Sequence, residues 1–337
     1  MRFDDWCGKH PVPLWIRLAL VCLLAATTPA LAQGVVDLCG CARDTLTAFD
    51  ASDPQTYPAG STGCASACKS GTIMLALPPD GVLRFSRIVV DGAFTISFRP
   101  NAANTPVTVL VAGDVLLRGA TCCGTLTVAG SSGAAATVAR GVGVGGNGGP
   151  GAFRGGRGHG QPVGIGALTP GGNGEGPGGG WGATTNVEAI GGTFTGGPDL
   201  QPPTGGSGGG GGSGFGFEPA CLGGGGGGGG GALVIKANGR FTLQDFQIVA
   251  DGGPGGEPAD RTCAQGGAGG SGGAIRLVAR TFVTSGTARL SAKGGVPAYR
   301  AGVATAGRIR VESVEKTGSA EQFTTEPEEI RVFGATN

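Results

Sequence analysis

The chain has 337 residues, of which 74 are Gly and 21 are Pro, and only 14% are charged. So high a share of Gly and Pro without a collagen period is typical of loop-dominated structure, while the low charge argues against highly charged disorder. Lys and Arg (24 together) nearly balance Asp and Glu (23 together), which argues against nucleic acid as a partner. The apolar residues come in short bursts of strand length, so the composition predicts an all-β chain.

The N-terminal segment has the pattern of an export signal. Basic residues precede an apolar run at 18–26, and Ala30-Leu31-Ala32 supplies the small residues of a cleavage site. The apolar run is shorter than the roughly 20 residues that span a bilayer. We therefore expect residues 1–32 to be a signal peptide, with no membrane span after its removal. The expected location is secreted, periplasmic or at the cell surface.

Eight cysteines follow this segment, and an even number in an exported chain predicts disulfides. They are Cys39, Cys41, Cys64, Cys68, Cys122, Cys123, Cys221 and Cys263. A metal site built from Cys39-x-Cys41 and Cys64-x-x-x-Cys68 is the alternative. Those spacings differ from the paired C-x-x-C of zinc sites, so we expect no metal and no other cofactor.

Two stretches of the chain repeat each other without a gap. Residues 232–253 align with residues 274–295 at an offset of 42, with Thr242 falling on Thr284. Similarity at a fixed spacing is the signature of stacked units, each of which buries its apolar side on its neighbours. We therefore expect this offset to be the register in which neighbouring units pair.

Partial copies extend the repeat in both directions. One begins at Arg308, and a looser one covers 107–130, where Ala112 takes the place of Ala237. Within the copies apolar and polar residues alternate, which predicts half-buried strands. Further strands are predicted at 73–77, 82–90, 94–99 and 107–111. The predicted architecture is a stack of β-coils, as in a right-handed parallel β-helix; a two-sheet β-sandwich is the alternative.

The same offset places Cys221 on Cys263. Equivalent positions in adjacent coils of a stacked β-structure lie about 4.8 Å apart. That spacing falls within the roughly 4.4–6.8 Å that a disulfide requires between Cα atoms. We therefore predict a Cys221–Cys263 disulfide, which leaves the other six cysteines to pair among themselves.

The stretch 141–231 contains 43 Gly in 91 residues and ends in nine consecutive glycines, 223–231. A flexible linker is one interpretation, since Gly-rich chains behave as random coil. Chains almost without side chains can also pack as close-lying extended helices with three residues per turn. We expect part of this stretch to be ordered in that polyglycine form, because so long an unstructured insertion is uncommon in a compact domain.

The predicted organisation follows from these features. It consists of a signal peptide 1–32, a Cys-containing cap 33–80, a first strand block 81–141, a glycine-rich insertion 142–231, β-repeats 232–313 and a C-terminal tail 314–337.

Three strings in the chain resemble a group of secreted bacterial glycine-rich repeat proteins of unassigned activity. They are NTPVTVLVAGDV (104–115), GGAGGSGGAIRLVA (266–279) and GRIRVES (307–313), in that order. The resemblance covers roughly residues 85–313. It implies an exported, surface-associated β-protein, and it supplies no activity, ligand or catalytic residue.

Reactive groups are scarce after residue 32. The only histidine there, His159, lies in a glycine-rich stretch, which predicts a solvated loop side chain rather than a rigidly held base. Gly158-His159-Gly160 and Arg308-Ile309-Arg310 are similar to strings of polygalacturonases, which are β-helix enzymes. Such enzymes also need two closely placed carboxylates, and the chain has no Asp-Asp pair after residue 32. We therefore expect no catalytic residue.

Four arginines at outward strand positions form a possible ligand stripe: Arg276, Arg289, Arg308 and Arg310. They could bind an acidic polysaccharide, or they could be solvated charges that discourage edge pairing. The resulting hypothesis is an exported, non-enzymatic structural or adhesive protein whose partners are polysaccharide or cell-surface components. A carbohydrate-active β-helix enzyme and a non-catalytic polysaccharide-binding surface protein are the alternatives.

Overall fold

The computed structural model describes residues 37–40, 46–120, 124–160, 170–184, 186–214, 220–317 and 331–333. In this part of the chain there is one 3₁₀ turn, Pro54–Thr56, and no α-helix. The strands are β1 (Phe49–Asp50), β2 (Ser70–Ala76), β3 (Val82–Phe85), β4 (Ile88–Asp91), β5 (Ala93–Arg99), β6 (Val107–Val111), β7 (Val115–Arg118), β8 (Gly124–Thr127), β9 (Ala232–Gln244), β10 (Phe246–Val249), β11 (Ala274–Ser285), β12 (Arg289–Ser291), β13 (Arg308–Thr317) and β14 (Arg331–Phe333). The predicted signal peptide lies outside the described residues.

The strands form two sheets. The first has the order β1-β4-β7-β9-β11-β13-β14, with β3 and β6 joined to it where β6 pairs with the start of β9. The second has the order β12-β10-β8-β5-β2. Every neighbouring pair of these strands is parallel. The predicted all-β class is confirmed, and the sheets are parallel.

The two sheets bury their alternate residues in one shared core. Leu233 and Ile235 of β9 face it together with Phe246 and Ile248 of β10, all of them at most 1% exposed. This is the alternation that the repeat predicted, because successive side chains of a strand point to opposite faces. Burial in this core therefore explains why apolar residues alternate along the strands of each repeat.

The predicted offset of 42 holds over the first half of the β9–β11 pair and then slips. Ala232 pairs with Ala274 and the register continues to Ala237, after which a β-bulge shifts it by one residue. Thr242 consequently pairs with Val283, so the predicted pairing of Thr242 with Thr284 is wrong. The slip occurs because β9 has two residues, 238 and 239, where β11 has only one.

The looser copy at 107–130 is also displaced by one residue. Val111, and not Ala112, pairs with Ala237. In this register Val107 and Val109 join Val111 on the buried face, each at most 3% exposed. A slip of one residue would turn this apolar set outward, so burial of the valines determines the pairing. The copy at Arg308 is in the predicted register, since Ile309 pairs with Ile275.

The glycine-rich stretches form a second structure beside the sheets, which we name the glycine bundle. It consists of extended segments that are hydrogen-bonded to one another: 128–136, 141–149, 152–160, 170–175, 178–184, 187–193, 205–214, 221–231, 250–257, 264–273, 292–298 and 301–307. Neighbouring segments bond at every third residue; for example, the amides of 143, 146 and 149 donate to the carbonyls of 223, 226 and 229. A repeat of three residues per turn without internal hydrogen bonds is the polyproline II geometry that polyglycine shares.

Segment 221–231 lies in the interior of the glycine bundle and has six neighbours. The amides of 223–231 donate in rotation to 152–160, 264–273 and 128–136. The carbonyls of 223–230 accept from the amides of 141–149, 205–214 and 250–257, and the carbonyl of Gly231 accepts from the amide of Ala274. Segments 205–214 and 264–273 are surrounded by six neighbours in the same way. The bundle thus has three interior segments and nine outer ones, a hexagonal arrangement.

The nine glycines of segment 221–231 leave no room for side chains. A Cβ atom built on any of the nine glycines 223–231 would lie closer than 3.0 Å to a carbonyl oxygen of a neighbouring segment. Real Cβ atoms do not approach that closely, so glycine is required by close packing. Because every amide and carbonyl in 223–231 has a partner, the interior also avoids the cost of burying unpaired polar groups.

Among the described residues, no helix combines the length and apolar character needed to cross a membrane.

Candidate functional site

The predicted arginine stripe is the first candidate site, and the structure brings together part of it. Arg276 of β11 pairs in register with Arg310 of β13. Both side chains bind Glu312: Arg276 Nε and Nη2 lie 2.7 and 3.3 Å from its two carboxylate oxygens, and Arg310 Nε lies 2.7 Å from Oε1. Glu312 follows Arg310 by two residues and therefore shares its strand face. The sequence prediction missed this residue.

Burial and charge act in opposite directions on Glu312. Burial alone would raise the pKa of its carboxyl group, but the hydrogen bonds and positive charges of Arg276 and Arg310 outweigh it and hold the pKa below its ordinary value. Arg276 is only 8% exposed. This part of the stripe is therefore an enclosed ion-pair cluster, and Arg276 is not the surface cation that the stripe requires.

A strap formed by residues 196–204 covers the outer face of the first sheet beside this cluster. Leu200 is fully buried against Ala232 and Ala274, whose small side chains leave space for it. Arg308 Nη1 donates to the carbonyl of Gly196 at 3.3 Å. The side-chain amide oxygen of Gln201 faces Arg276 and accepts hydrogen bonds from its two Nη atoms at 2.7 and 2.8 Å. The strap and the ion pairs together hold the arginines against the sheet.

Arg289 belongs elsewhere, which corrects the stripe further. It lies on β12 in the second sheet, where it pairs in register with Gln247. Each repeat contributes one strand to each sheet, so outward residues of β11 and β12 do not share a surface. The four arginines therefore do not form one continuous groove.

His159 is held in the glycine bundle, so the expectation of a solvated loop was wrong. Its amide donates to the carbonyl of Gly212 at 2.8 Å, and its carbonyl accepts from the amides of Gly214 and Gly223 at 3.0 and 2.9 Å. Its Nδ1 atom is buried and has no hydrogen-bond partner. The backbone position is thus fixed by three hydrogen bonds.

The structure does not bring His159 near the Arg308-Ile309-Arg310 string. His159 is hydrogen-bonded to Gly223, whereas Arg308 is hydrogen-bonded to Gly273 at the opposite end of the bundle, level with Gly231. Eight residues separate 223 from 231, and at about 3.1 Å per residue they span roughly 25 Å. The two strings therefore cannot contribute to one active site of the polygalacturonase kind.

The cysteines of the described chain form disulfides. Cys221 is bonded to Cys263, as the repeat register predicted, with Cα atoms 5.2 Å apart. Cys64 is bonded to Cys68, so neither is available as a thiolate metal ligand, and Cys39 is also disulfide-bonded. The pairing predicted for Cys41, Cys122 and Cys123 falls outside the described residues. No group of three or more His, Cys, Asp or Glu side chains in the described part could hold a metal ion.

A cavity of about 20 Å³ lies inside the core between the two sheets. Its lining consists of apolar side chains such as Phe49, Phe85 and Phe98. A space of this size holds at most one water molecule, and a water needs polar partners that this lining does not provide. The cavity is therefore a packing defect and not a ligand site.

The outer segments of the glycine bundle offer the most regular surface. With three residues per turn, every third residue points the same way, which repeats a side chain at intervals of about 9.3 Å. Arg154 and Arg157 are both exposed in this spacing on segment 152–160. The surface can therefore present side chains at fixed positions.

No protein-family model, no curated protein and no solved structure matches the chain.

Proposed function

We propose that this chain is an exported, non-enzymatic structural or adhesive protein, in which the glycine bundle acts as a rigid scaffold for surface side chains. The observation that carries the proposal is the saturated hydrogen bonding of segment 221–231 to six neighbours. Such a lattice cannot deform locally without breaking buried hydrogen bonds, each of which is costly to leave unmade. Rigidity of this kind suits a protein that holds its shape or presents a surface.

For the strand half we propose a right-handed parallel β-helix. Strands β3, β4 and β5 are followed by β6, β7 and β8, and each of the first three pairs with its counterpart three strands later. The pairs β3–β6 and β4–β7 lie in the first sheet, and the pair β5–β8 lies in the second. This order is what successive turns of a coil produce. Right-handedness is supported by the strong preference of parallel crossover connections for that hand.

Export is proposed on two grounds. The N-terminal segment has the charge and apolar pattern of a signal peptide. The disulfides Cys221–Cys263 and Cys64–Cys68 suit an oxidising compartment, since such bonds are rare in reducing ones. The resemblance to secreted bacterial glycine-rich repeat proteins supports a location at the cell surface or outside the cell.

A binding assay without turnover tests the adhesive function. Residues 33–337 are applied to an array of neutral and acidic polysaccharides, and the bound glycans are then assayed for release of reducing sugar or unsaturated products. The proposal expects retention by a cell-surface glycan or matrix component without any release. Product formation that is lost in a His159→Ala variant would instead support a carbohydrate-active enzyme.

A further inference from the structure

Exposed apolar side chains are concentrated on one side of the glycine bundle. The large apolar residues of the described chain that are exposed are Met74, Val138, Val144, Trp181, Val187, Ile190, Val296 and Val303. Five of these eight lie on four outer segments that are consecutive around the bundle: 178–184, 187–193, 301–307 and 292–298. These five are Trp181, Val187, Ile190, Val303 and Val296. Single exposed apolar residues are normal, but a cluster of them marks an interaction surface.

The hydrogen bonds align four of these residues in one row across the segments. The Ile190 amide donates to the Trp181 carbonyl at 2.9 Å, which sets those two residues at the same level. Ala189 bridges to Ala301 in parallel, and the amide of Gly302 donates to the carbonyl of Ala189, so Val303 lies within one residue of the level of Ile190.

The fourth member of the row comes from the next outer segment. Segment 292–298 runs antiparallel to 301–307, with the amide of Gly307 donating to the carbonyl of Ala292. This register places Val296 beside Val303. We name the four residues the apolar row; Trp181, Ile190, Val303 and Val296 are 70, 48, 77 and 71% exposed.

We propose that the apolar row is an interface at which a second copy of this chain docks. Once residues 1–32 are removed, 21 basic and 21 acidic residues remain of the 24 and 23 in the whole chain, since that segment holds three basic and two acidic ones. A net charge of zero offers no long-range repulsion between copies and promotes association. The edge of the row is self-complementary as well, because Glu188 and Arg300 are both exposed there and carry opposite charges.

The chemistry of the row favours a second copy over a sugar or a membrane. A sugar site needs placed polar groups for the hydroxyls, whereas three of the four residues are branched aliphatics. Binding to an anionic membrane needs a basic surface, whereas the exposed residues Glu188 and Arg300 at the edge of the row carry one charge of each sign. A symmetric dimer requires one patch that fits itself, and the rigid bundle holds the row in place so that little ordering entropy is lost on docking.

Trp181 makes the proposal directly measurable. Of the three tryptophans in the chain, Trp6 and Trp15 precede residue 33, so Trp181 is the only one in residues 33–337. Sedimentation of this protein and its tryptophan emission are measured together, from low micromolar to submillimolar concentration. We expect a monomer–dimer equilibrium in which the emission moves to shorter wavelength as the dimer forms.

Matched substitutions assign the contact. Ile190→Asp introduces a charge into the apolar row, and Val144→Asp introduces one at a residue of nearly equal exposure, 48 against 47%, on segment 141–149 outside the row. We expect Ile190→Asp to weaken dimerisation at least about 30-fold, as at an interface hot spot, and Val144→Asp to leave it within about threefold. Val303→Asp provides a second test if Ile190→Asp fails to fold, as judged by its melting temperature.

Three results would overturn the proposal. They are a protein that stays monomeric at every concentration, a dimer that forms without any change in Trp181 emission, and equal weakening by Ile190→Asp and Val144→Asp. A shift of the emission on addition of a glycan or of anionic lipid vesicles, while the protein remains a monomer, would assign the row to that ligand instead.

Discussion

Cys221 and Cys263 are joined by a disulfide, and their separation of 42 residues equals the offset at which Ala232 pairs with Ala274 on neighbouring strands. The bond connects the starts of segments 221–231 and 264–273, two of the three interior segments of the glycine bundle. One repeat therefore extends through both the strands and the glycine segments that precede them. The disulfide fastens the bundle at the end opposite to the sheets.

The disulfides should differ in their contribution to stability. Replacing both Cys221 and Cys263 by Ser should lower the free energy of unfolding by about 4 kcal/mol, because the bond closes a long loop and restricts the unfolded chain. The control, Ser at both Cys64 and Cys68, opens a loop of only 4 residues and should cost about 2 kcal/mol. Urea unfolding under non-reducing conditions measures both losses. An equal or smaller loss for the Cys221–Cys263 variant would contradict the expectation.

A single added methyl group should disrupt the interior of the glycine bundle. Gly227→Ala places a Cβ closer than 3.0 Å to the carbonyl oxygen of Gly253, and overpacking of this kind costs about 3 kcal/mol or more where the backbone cannot move. Gly197→Ala is the control, because the only atom near its Cβ is a carboxylate oxygen of Asp199 at 3.2 Å. Thermal unfolding should show a marked drop for the first variant and little change for the second. Similar melting temperatures would mean that the interior is not close-packed.

The ion-pair cluster of Glu312 should make stability depend on pH in the acidic range. Because the pKa of Glu312 is lower in the folded protein than in the unfolded chain, its contribution is present at neutral pH and is lost as the pH falls through the folded-state value. Glu312→Gln should therefore cost about 2 kcal/mol near pH 7, and the difference from the wild type should shrink below about pH 4.

A surface pair provides the control for that experiment. Asp91 and Arg118 also form an ion pair, but both side chains are nearly half exposed, and exposed pairs contribute little. Asp91→Asn should give a much smaller loss of stability in urea unfolding at neutral pH. A difference for Glu312→Gln that stays constant from neutral to acidic pH would rule out the proposed role of its charge.

Cleavage after Ala32 should give a protein that begins at Gln33. Ala30 and Ala32 provide the small residues that signal peptidase requires. N-terminal sequencing or intact mass of material secreted from a bacterial host measures this directly. Secreted protein that starts at Met1, or retention of the whole chain in the inner membrane, would exclude the signal-peptide assignment.

Short apolar bursts were enough to predict the all-β class, and their alternation predicted the inward faces of β9 and β10. The repeat offset of 42 residues predicted the Cys221–Cys263 bond. The register failed by one residue at Thr242 and at Ala112, because β-bulges and the choice between adjacent small residues depend on packing against the partner strand. Alignment of two copies shows which residues correspond, but not where one strand carries an extra residue.

The surface features were harder to predict. The enclosure of Arg276 depends on Glu312, which is two residues from Arg310 and could have been found from the strand period, and on Leu200 and Gln201 of the strap, which are distant in sequence. His159 is fixed by a lattice that runs through many glycine segments. Contacts of that kind depend on which segments become neighbours, and identical glycines carry no pattern that identifies their partners.

Amide hydrogen exchange of residues 223–231 tests most directly the claim that the glycine bundle is a rigid lattice. Each of these nine amides donates to a carbonyl of a neighbouring segment, so opening the bundle is required before exchange. Mass spectrometry of peptides covering 221–231, compared with peptides from β9 and β11, should show protection of the same order in all three regions. Complete exchange of 223–231 within seconds, while β9 and β11 remain protected, would show that the glycines are a flexible linker and would contradict the claim.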